Sequence, residues 1–473
     1  MKFGHLLLVF VFSCSFSNQI FGQDHPRSAH CDSLRNDTSV HCALDFFAKG
    51  TFHGHIRNYF MSTISAHGLS DFYANAAGGA LGYHSARIKG FSIALKGQFT
   101  YNIFSNDLLA VDQLGGRASR YELQLFDVVH PNNRNDLDRL EELYIDYLGD
   151  RIYAKAGKID IVTPLVNPQD GRMKPYAIHG LWVRSKLNAN WVMSLGAFNK
   201  FSPRSTTHWY HLNESIGIYG NGYAINGKKA RYQGRLRTNG LLVAGAHYHN
   251  KLFNFQGWNY YIDNISNTFF GQAQLHGVKK YHGQFKLGLQ YLRQWQLGEG
   301  GNSDSIIFQY HNNQDQVHIL SGRLAYRFRH YVLSLNGLQG LGKGRFLFPR
   351  EWGREQFYVT VPRGRVEGTG GMQVLMLKAQ AKPQLKNLSA INLSAGYFNF
   401  PEHDRYDLNK YGMLSHYQFT IDMSYKFHHL LEGSSLRLLY INKFTPNSDA
   451  YEPSLWFNSS HFQQINVVFN VVF

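Results

Sequence analysis

Apolar and polar residues alternate with a period of two along many short stretches of this chain. The final stretch, 464–473, is a clear case, because Ile465, Val467 and Phe469 fall on one face and the chain ends on Phe473. Successive side chains of a β-strand point to opposite faces, so each such stretch predicts a strand with one apolar face. We therefore expect an all-β protein.

The number and length of these stretches narrow the fold further. Each is close to the roughly 9–11 residues that a tilted strand needs to cross a membrane. A single-chain bacterial barrel normally has an even number of strands, so we predict about 18 and expect one candidate to be wrong. The nineteen candidates are 50–61, 71–83, 89–101, 141–149, 151–159, 176–187, 189–200, 230–238, 240–249, 251–261, 267–276, 281–294, 317–329, 331–339, 371–381, 388–399, 414–427, 434–444 and 462–473.

The connections between these predicted strands alternate in length. Tight turns are predicted at Asn188, 239–240 and 250–251, where Asn and Gly favour a reversal of the chain. The predicted long loops are 102–140, 201–229, 295–316 and 340–370. Short turns at one rim and long loops at the other are typical of bacterial barrels. The predicted fold is therefore a single transmembrane antiparallel β-barrel with short periplasmic turns and long extracellular loops.

The N-terminus has the layout of a cleaved export signal. Lys2 precedes an unbroken apolar run at 6–12, and the small residue Gly22 precedes Gln23. We expect export through the Sec pathway and cleavage after Gly22; the alternative is a lipoprotein signal at Cys14. The predicted domains are a signal peptide at 1–22, a short leader at 23–49 and a transmembrane barrel at 50–473.

The rest of the chain lacks the roughly 20 consecutive apolar residues that a transmembrane helix needs. Only helices and closed barrels satisfy the backbone in lipid, so a membrane location requires a barrel. The composition is consistent with such a wall, since aromatic residues make up 15% and only 12 residues are proline. Cys31 and Cys42 form one disulfide or stay as free thiols, and the sequence leaves both possibilities open.

Basic residues outnumber acidic ones, and their positions on the strands decide what the excess means. The net charge is +16, but an exported protein rarely meets nucleic acid, so we expect no nucleic-acid partner. An arginine that faces lipid at the bilayer midplane costs about 2–4 kcal/mol, so basic residues opposite an apolar face are predicted to line the lumen. These residues are Arg57, Arg231, Arg235, Arg237, Lys286, Arg323, Arg327, Arg329 and Arg437.

A positive lumen has two interpretations. A charged track attracts permeants of the opposite sign in a narrow passage, which here favours anionic or carboxylate-bearing solutes. Alternatively, the arginines only solvate a wide pore and hold loops through carboxylates. Asp422 is the one acidic residue found on the inner faces of those strands.

Three stretches of the chain, taken in order, resemble a known family. They are 54–60 (GHIRNYF), 164–175 (PLVNPQDGRMKP) and 352–357 (WGREQF), the last followed by 362–365 (PRGR). Together with the export signal and the terminal Phe, they resemble the OprD-type outer-membrane porins in a form seen in Bacteroidetes-like bacteria. Members of that family are substrate-selective monomeric barrels.

The resemblance implies an 18-stranded monomer in the cell outer membrane, with an inward loop around 164–175 that narrows the pore. It places Asp170 and Arg172 at or near this constriction. It also implies the passage of small molecules such as amino acids, peptides, carboxylates or sugars. The expected function is a porin for passive diffusion of small hydrophilic solutes, and whether it is selective stays open.

The expected partners are outer-membrane lipid and lipopolysaccharide, small solutes, and the barrel-assembly machinery acting on the strand that ends at Phe473. We expect no cofactor, no catalytic residue and no metal site. His53 and His55 share a strand face, as do His247 and His249, but neither pair has a cysteine or acidic cluster nearby. Two alternatives to a porin are a barrel enzyme that hydrolyses lipid or peptide, and a closed adhesion or scaffold barrel.

Overall fold

The computed structural model describes residues 43–66, 68–168, 171–280, 283–383, 388–428 and 433–473. The predicted signal peptide, Cys31, Cys42 and Asp170 lie outside the described residues. Of the predicted leader, only 43–49 is described, and there a short helix, α1 (Ala43–Ala48), precedes the first strand.

The strands form one antiparallel sheet in which strands that follow one another in the chain are neighbours. They are β1 (Thr51–Ser65), β2 (Phe72–His84), β3 (Phe91–Ser105), β4 (Arg139–Leu148), β5 (Ile152–Ile159), β6 (Ala177–Lys186), β7 (Trp191–Ser202), β8 (Tyr210–His211), β9 (Leu241–His249), β10 (Phe253–Ile262), β11 (Ser266–Lys280), β12 (Gly283–Gln296), β13 (Gln316–Phe328), β14 (Tyr331–Lys343), β15 (Gln373–Ala381), β16 (Leu388–Asn399), β17 (His416–Lys426), β18 (Ser434–Phe444) and β19 (Phe462–Val472).

The sheet closes into a barrel. β19 pairs with β1, from Ser65 opposite Phe462 to His55 opposite Val472. The two-residue strand β8 pairs beside the end of β7, which also pairs directly with β9. Without β8, eighteen of the nineteen strands form the closed wall, which confirms the predicted all-β barrel.

Lipid on one side and the barrel interior on the other explain the alternating sequence. On β12, Phe285, Leu287 and Leu289 are between 51% and 57% exposed, whereas Lys286 and Gln290 on the other face are 8% and 1% exposed. Exposed apolar side chains on every second position are what a lipid-facing wall presents. Eighteen of the nineteen predicted strands are present, with ends shifted by a few residues.

One predicted strand, 230–238, is wrong, because this stretch belongs to a long loop. Gly234 has a φ of 70°, and a hydrogen bond from Arg235 N to Tyr232 O closes the turn around it. An extended strand does not accommodate that turn. The alternation instead reflects burial within the loops, since Tyr232 and Leu236 are 2% and 3% exposed.

Arg231, Arg235 and Arg237 consequently do not lie on the barrel wall, which corrects their prediction as wall residues. All three are exposed. The guanidinium of Arg235 lies 4.3 Å from the ring centre of Phe308. Arg237 forms an ion pair with Asp304, with 2.5 Å between Nη2 and Oδ2.

The connections at one end of the barrel are short, and those at the other end are mostly long. Short ones include 149–151, 250–252 and 329–330. Arg329 has a φ of 49° and is exposed in that last turn, so its prediction as a lumen residue is also corrected. The long loops are 106–138, 160–176, 203–240, 297–315, 344–372, 400–415 and 445–461. The predicted alternation of turn and loop lengths is confirmed, but the predicted tight turn at 239–240 is wrong, because these residues end the long loop 203–240.

Aromatic side chains mark both rims of the outer face. Phe285 and Tyr326 pair near the short turns, with ring centres 4.7 Å apart, and Tyr397 and Tyr417 pair near the long loops at 4.6 Å. Such girdles form where a barrel meets the two membrane interfaces.

In the described part of the chain the helices are short and lie outside the wall strands. Besides α1 they are α2 (Leu212–Ser215), α3 (Pro453–Trp456) and the 3₁₀ turns Leu123–Leu125 and Ser448–Ala450. None of the helices in the described ranges is long and apolar enough to cross a membrane.

Candidate functional site in the barrel lumen

The inner face of the wall carries many buried amide side chains. Gln290, Gln294, Asn336, Gln418 and Gln464 are each at most 2% exposed. Buried amides require hydrogen-bond partners, and two long loops that fold into the barrel supply many of them. We call 160–176 the first inward loop and 344–372 the second inward loop.

The first inward loop crosses the barrel interior. Gln98 on β3 donates to the carbonyl of Met173 at 3.0 Å, and Leu165 N donates to the hydroxyl of Tyr260 on β10 at 3.2 Å. Because β3 and β10 lie far apart around the barrel, a loop that contacts both spans the lumen. The predicted inward position of this loop is confirmed.

Arg57 and Arg172 are in contact where the first inward loop meets β1. Arg57 donates from Nη1 to the backbone carbonyl of Arg172, and from Nε to Oδ1 of Asn470 at 2.7 Å. Arg172 is buried, has a φ of 45° and donates to Oε1 of Gln124. A non-glycine residue keeps a left-handed backbone conformation only when surrounding contacts hold it there. The contacts with Arg57 and Gln124 hold Arg172 in this way.

The second inward loop runs along the inner wall. Gln294 on β12 donates to Leu347 O at 2.7 Å and accepts from Leu347 N at 2.9 Å. Gln290 on the same strand donates to Gln356 O and accepts from Tyr358 N, both at 2.9 Å. These reciprocal pairs fix the loop backbone to the wall.

Further along, the second inward loop reaches the opposite part of the wall. Gln418 on β17 donates to Pro362 O at 2.6 Å, and Arg363 donates from Nε to Gln464 on β19 at 2.7 Å. The sequence predicted this stretch only as an extracellular loop. The signal that could have located it is its glycine- and arginine-rich stretch 362–365, similar in character to the first inward loop.

The two inward loops contact each other around Trp352. Asn167 N donates to Trp352 O at 3.2 Å, and Gln356 N donates to Pro164 O at 3.1 Å. The buried Trp352 ring stacks on Phe201 of β7, with centres 4.5 Å apart and planes 8° from parallel. The two loops therefore form one continuous constriction in the lumen.

A group of four basic side chains on the inner wall borders this constriction. We call it the basic patch: Lys286, Arg323, Arg327 and Lys378. Lys286 on β12 lies opposite Ala325 and thus diagonally between Arg323 and Arg327 on β13. The guanidinium of Arg323 lies 4.3 Å from the ring centre of Tyr358. Lys378 Nζ on β15 donates to the carbonyl of Thr360 at 2.8 Å. The basic patch therefore contacts the second inward loop directly.

Acidic residues are absent from this half of the wall. Strands β9 to β16 contain no aspartate or glutamate. The carboxylates of the other strands are Glu141, Glu142, Asp146 and Asp422. All four form ion pairs: Glu141 and Glu142 with Lys96 at 2.8 and 2.6 Å, Asp146 with Arg87 at 2.5 Å, and Asp422 with Arg437 at 2.7 Å. The wall strands around the basic patch therefore carry positive charge and no negative charge.

The structure places the predicted lumen residues in two groups. Those inside the barrel are Arg57, Arg172, Lys286, Arg323, Arg327 and Arg437. Those outside the wall are Arg231, Arg235, Arg237 and Arg329. Lys378 and Arg363 were not among the predicted lumen residues. Lys378 lies on the face of its strand opposite the exposed Leu375 and Leu377, which is the signal that could have located it. Arg363 lies in a loop that was expected outside the barrel.

No protein-family profile and no curated protein sequence matches this chain. Solved structures match it over most of its length. Pseudomonas aeruginosa OpdK with vanillate has a TM-score of 0.67 at 13% identity, covering 90% of this chain and 99% of that chain. Acinetobacter baumannii OccAB2 has a TM-score of 0.68 at 13% identity, covering 91% and 99%. Pseudomonas aeruginosa OccK8 (OprE) has a TM-score of 0.68 at 14% identity, covering 90% and 99%.

The chain has the OprD-type barrel fold. Each match extends over nearly the whole of the solved chain, so the likeness concerns the complete barrel and not a shared sheet fragment. At this level of identity the likeness is one of fold, and it confirms the fold that the sequence resemblance implied.

Proposed function

We propose that the chain is an outer-membrane porin through which small hydrophilic solutes diffuse passively, with a preference for anions and for solutes that carry a carboxylate. Support for a porin comes from the lipid-facing outer wall, the polar inner wall and the likeness in fold to the outer membrane protein OpdK. OpdK was solved with vanillate, an organic anion, and we extend that chemistry to this chain.

The preference for anions rests on the basic patch. Lys286, Arg323, Arg327 and Lys378 face a constricted lumen, and the surrounding strands contain no carboxylate. Charges act over longer distances where the passage is narrow and partly desolvated. A guanidinium remains charged at any working pH and binds a carboxylate through two parallel hydrogen bonds.

The spacing of the basic patch suits transfer of a solute between neighbouring sites. Diagonal neighbours on adjacent strands lie about 7–8 Å apart, so a bound carboxylate reaches the next cation before it has left the last. Several weak sites let a solute enter and still leave. A single strong site would slow its release.

The proposal includes the route of the chain to the membrane. Residues 1–22 act as a Sec signal and are removed, and the barrel at 50–473 inserts into the cell outer membrane as a monomer. The barrel-assembly machinery recognises the strand that ends at Phe473. Lipid and lipopolysaccharide then cover the exposed apolar face.

Single-channel recording in planar bilayers with asymmetric salt tests the proposal. The purified protein should conduct, with a reversal potential of anion-selective sign. Replacing Arg323 and Arg327 by Ala should shift that potential towards the cation side. The matched control removes the same charge from the exposed loop, with Arg231→Ala and Arg235→Ala, and should leave the potential unchanged.

The outcomes separate the two parts of the proposal. A conducting pore that is cation-selective and unaffected by loss of Arg323 and Arg327 contradicts the anion preference and leaves the porin in place. A protein that never conducts contradicts the porin itself. In that case, hydrolysis of lipid or peptide would favour a barrel enzyme, and its absence would favour a closed scaffold barrel.

A further inference from the structure

Two of the long loops bring an aspartate and two histidines together at the end of the barrel that carries the long loops. Asp127 and His130 lie in loop 106–138, and His208 lies in loop 203–240. One possible ligand atom from each side chain lies within 4.8 Å of the other two. Nδ1 of His130 is 3.2 Å from Oδ2 of Asp127, and the two imidazole ring centres are 5.2 Å apart.

The junction between the loops is already organised around these side chains. Thr207 donates from Oγ1 to Oδ2 of Asp127 at 2.9 Å and lies 2.8 Å from Nδ1 of His208. Val128 N donates to Ser205 O at 3.0 Å, which joins the two loops through their backbones. The carboxylate is buried and both imidazoles are exposed, so the rings are free to turn towards an ion while the loop junction stays packed.

We propose that Asp127, His130 and His208 bind one divalent transition-metal ion, with Zn²⁺ as the expected occupant. Imidazole nitrogen and carboxylate oxygen are ligands that Zn²⁺ binds at about 2.0–2.2 Å. Three protein ligands leave the fourth tetrahedral position to water, as in an open zinc site. Two imidazoles argue against Ca²⁺ and Mg²⁺, which prefer oxygen ligands.

The proposed metal site does not rest on the proposed permeation function. It connects loop 106–138 to loop 203–240 at the end of the barrel that carries the long loops. No sequence motif marks it, because the third ligand comes from a different loop and the spacing from Asp127 to His208 carries no zinc signature. The predicted absence of a metal site was based on other histidines.

Isothermal titration of Zn²⁺ into the purified, untagged protein tests the proposal. The wild type should bind one equivalent. His130→Ala and His208→Ala should each weaken binding by more than the roughly 10–100-fold that loss of an outer hydrogen-bond partner costs. Thr207→Val, which removes such a partner, should fall within that range. His330→Ala removes an exposed histidine from the turn between β13 and β14 and should bind as the wild type.

Co²⁺ supplies a second measurement on the same variants. A tetrahedral Co²⁺ site in the wild type should absorb in the visible range, and this absorption should be lost in His130→Ala and His208→Ala but kept in His330→Ala. Heat-dependent gel mobility identifies variants that have folded, and only those are compared. Failure of the wild type to bind, or equal Zn²⁺ affinity in the wild type, His130→Ala and His208→Ala, overturns the proposal.

Discussion

Arg437 on β18 forms a two-point ion pair with Asp422 on β17, with 2.7 Å from Nε to Oδ1 and 2.7 Å from Nη2 to Oδ2. The two side chains are 32% and 21% exposed. Apart from Asp422, the acidic residues of the strands all lie on β4. This carboxylate therefore offsets positive charge on a part of the inner wall where no other strand carboxylate lies nearby.

Replacing Asp422 by Asn should make the pore more anion-selective. The substitution keeps the shape of the side chain and removes the charge that opposes Arg437, so the reversal potential in a salt gradient should move further to the anion side. Asp407→Asn is the matched control, because Arg405 and Asp407 form a similar pair at 2.8 Å in an exposed loop. Equal shifts in both variants, or a shift to the cation side in the first, contradict the prediction.

Lys410 in loop 400–415 lies in a cage of tyrosine rings. Its Nζ lies 4.5, 4.8 and 5.4 Å from the ring centres of Tyr310, Tyr232 and Tyr411. Burial lowers the pKa of Lys410 to about 7, although the carboxylate of Glu367 opposes the shift. The loop cluster therefore holds a lysine whose pKa is well below its ordinary value.

The packing of these loops should depend on pH. When the loops separate, Lys410 regains its ordinary pKa of 10.5, so between pH 7 and 10.5 the opened state binds more protons than the packed state. Packing is therefore stabilised as the pH rises above 7 and destabilised as it falls towards 7. Burial raises the pKa of Glu367 above its ordinary value of 4.5. Above pH 4.5 this group therefore binds more protons in the packed state, and its contribution to packing decreases as the pH rises. Arg345, Arg350 and Glu351 also face the amine.

Hydrogen exchange followed by mass spectrometry measures this dependence. Protection factors in loop 400–415, corrected for the intrinsic effect of pH, should increase between pH 6.5 and 8.5 in the wild type. Lys410→Met should lose the increase, because it keeps the apolar stem and removes the amine. Lys251→Met, at an exposed lysine in a short turn, should behave as the wild type. An unchanged increase in Lys410→Met would rule out Lys410 as the source.

The wall could be predicted from the sequence because its alternation has a simple cause. Lipid outside and polar contacts inside impose a period of two on β12, where Phe285 and Leu287 face out and Lys286 faces in. The same pattern led to the wrong prediction of a strand at 230–238. There the alternation arises because Tyr232 and Leu236 are buried among loops. A period of two in the sequence indicates which side chains are buried. It does not indicate whether a strand pairing or a neighbouring loop buries them.

The inward loops show the same limit. The inward position of the first could be predicted because its stretch 164–175 resembles the corresponding stretch of a known porin family. The second could not, because Gln290 and Gln294 hold it through backbone groups such as those of Leu347 and Tyr358. The pattern of apolar and polar residues along the sequence does not predict contacts made by backbone groups. The junction of Asp127 with His208 likewise depends on two loops meeting in space.

Trp352 should control the width of the constriction. It is fully buried, stacks on Phe201, and donates from Nε1 to Ser215 Oγ at 2.9 Å. Trp352→Ala should lower the free energy of unfolding by about 3–5 kcal/mol, as for other buried aromatic residues. The substitution keeps the backbone bond from Asn167 N to the carbonyl of residue 352 but removes the ring that holds the second inward loop against Phe201. The constriction should therefore loosen, and single-channel conductance should rise. The control is Trp191→Ala, which removes a tryptophan from the lipid face near the short turns and should leave conductance unchanged. If Trp352→Ala also leaves conductance unchanged, the prediction is wrong.

Phe473 extends the pairing between the first and last strands, β1 and β19, which closes the barrel. Its N–H donates to Gly54 O at 3.2 Å, and Gly54 N donates back to Phe473 O at 3.0 Å. The ring lies against Gly54, where a Cβ would meet it. Phe473 is nevertheless 52% exposed, so much of the ring is available to an assembly factor before lipid surrounds it.

Deleting Phe473 should lower the amount of assembled barrel in the outer membrane. β19 keeps its pairing with β1 up to Val472, so the shortened chain should still refold from urea into detergent with a yield near that of the wild type. Val472→Ala trims a neighbouring apolar side chain and keeps the terminal Phe, so it should assemble normally in cells. Heat-dependent gel mobility of outer-membrane fractions and of refolded protein measures both yields. Normal assembly of the deletion variant in cells would contradict a role of Phe473 as an assembly signal. Detergent contains no assembly machinery, so an equal loss of yield in cells and in detergent would mean that the deletion acts through barrel stability.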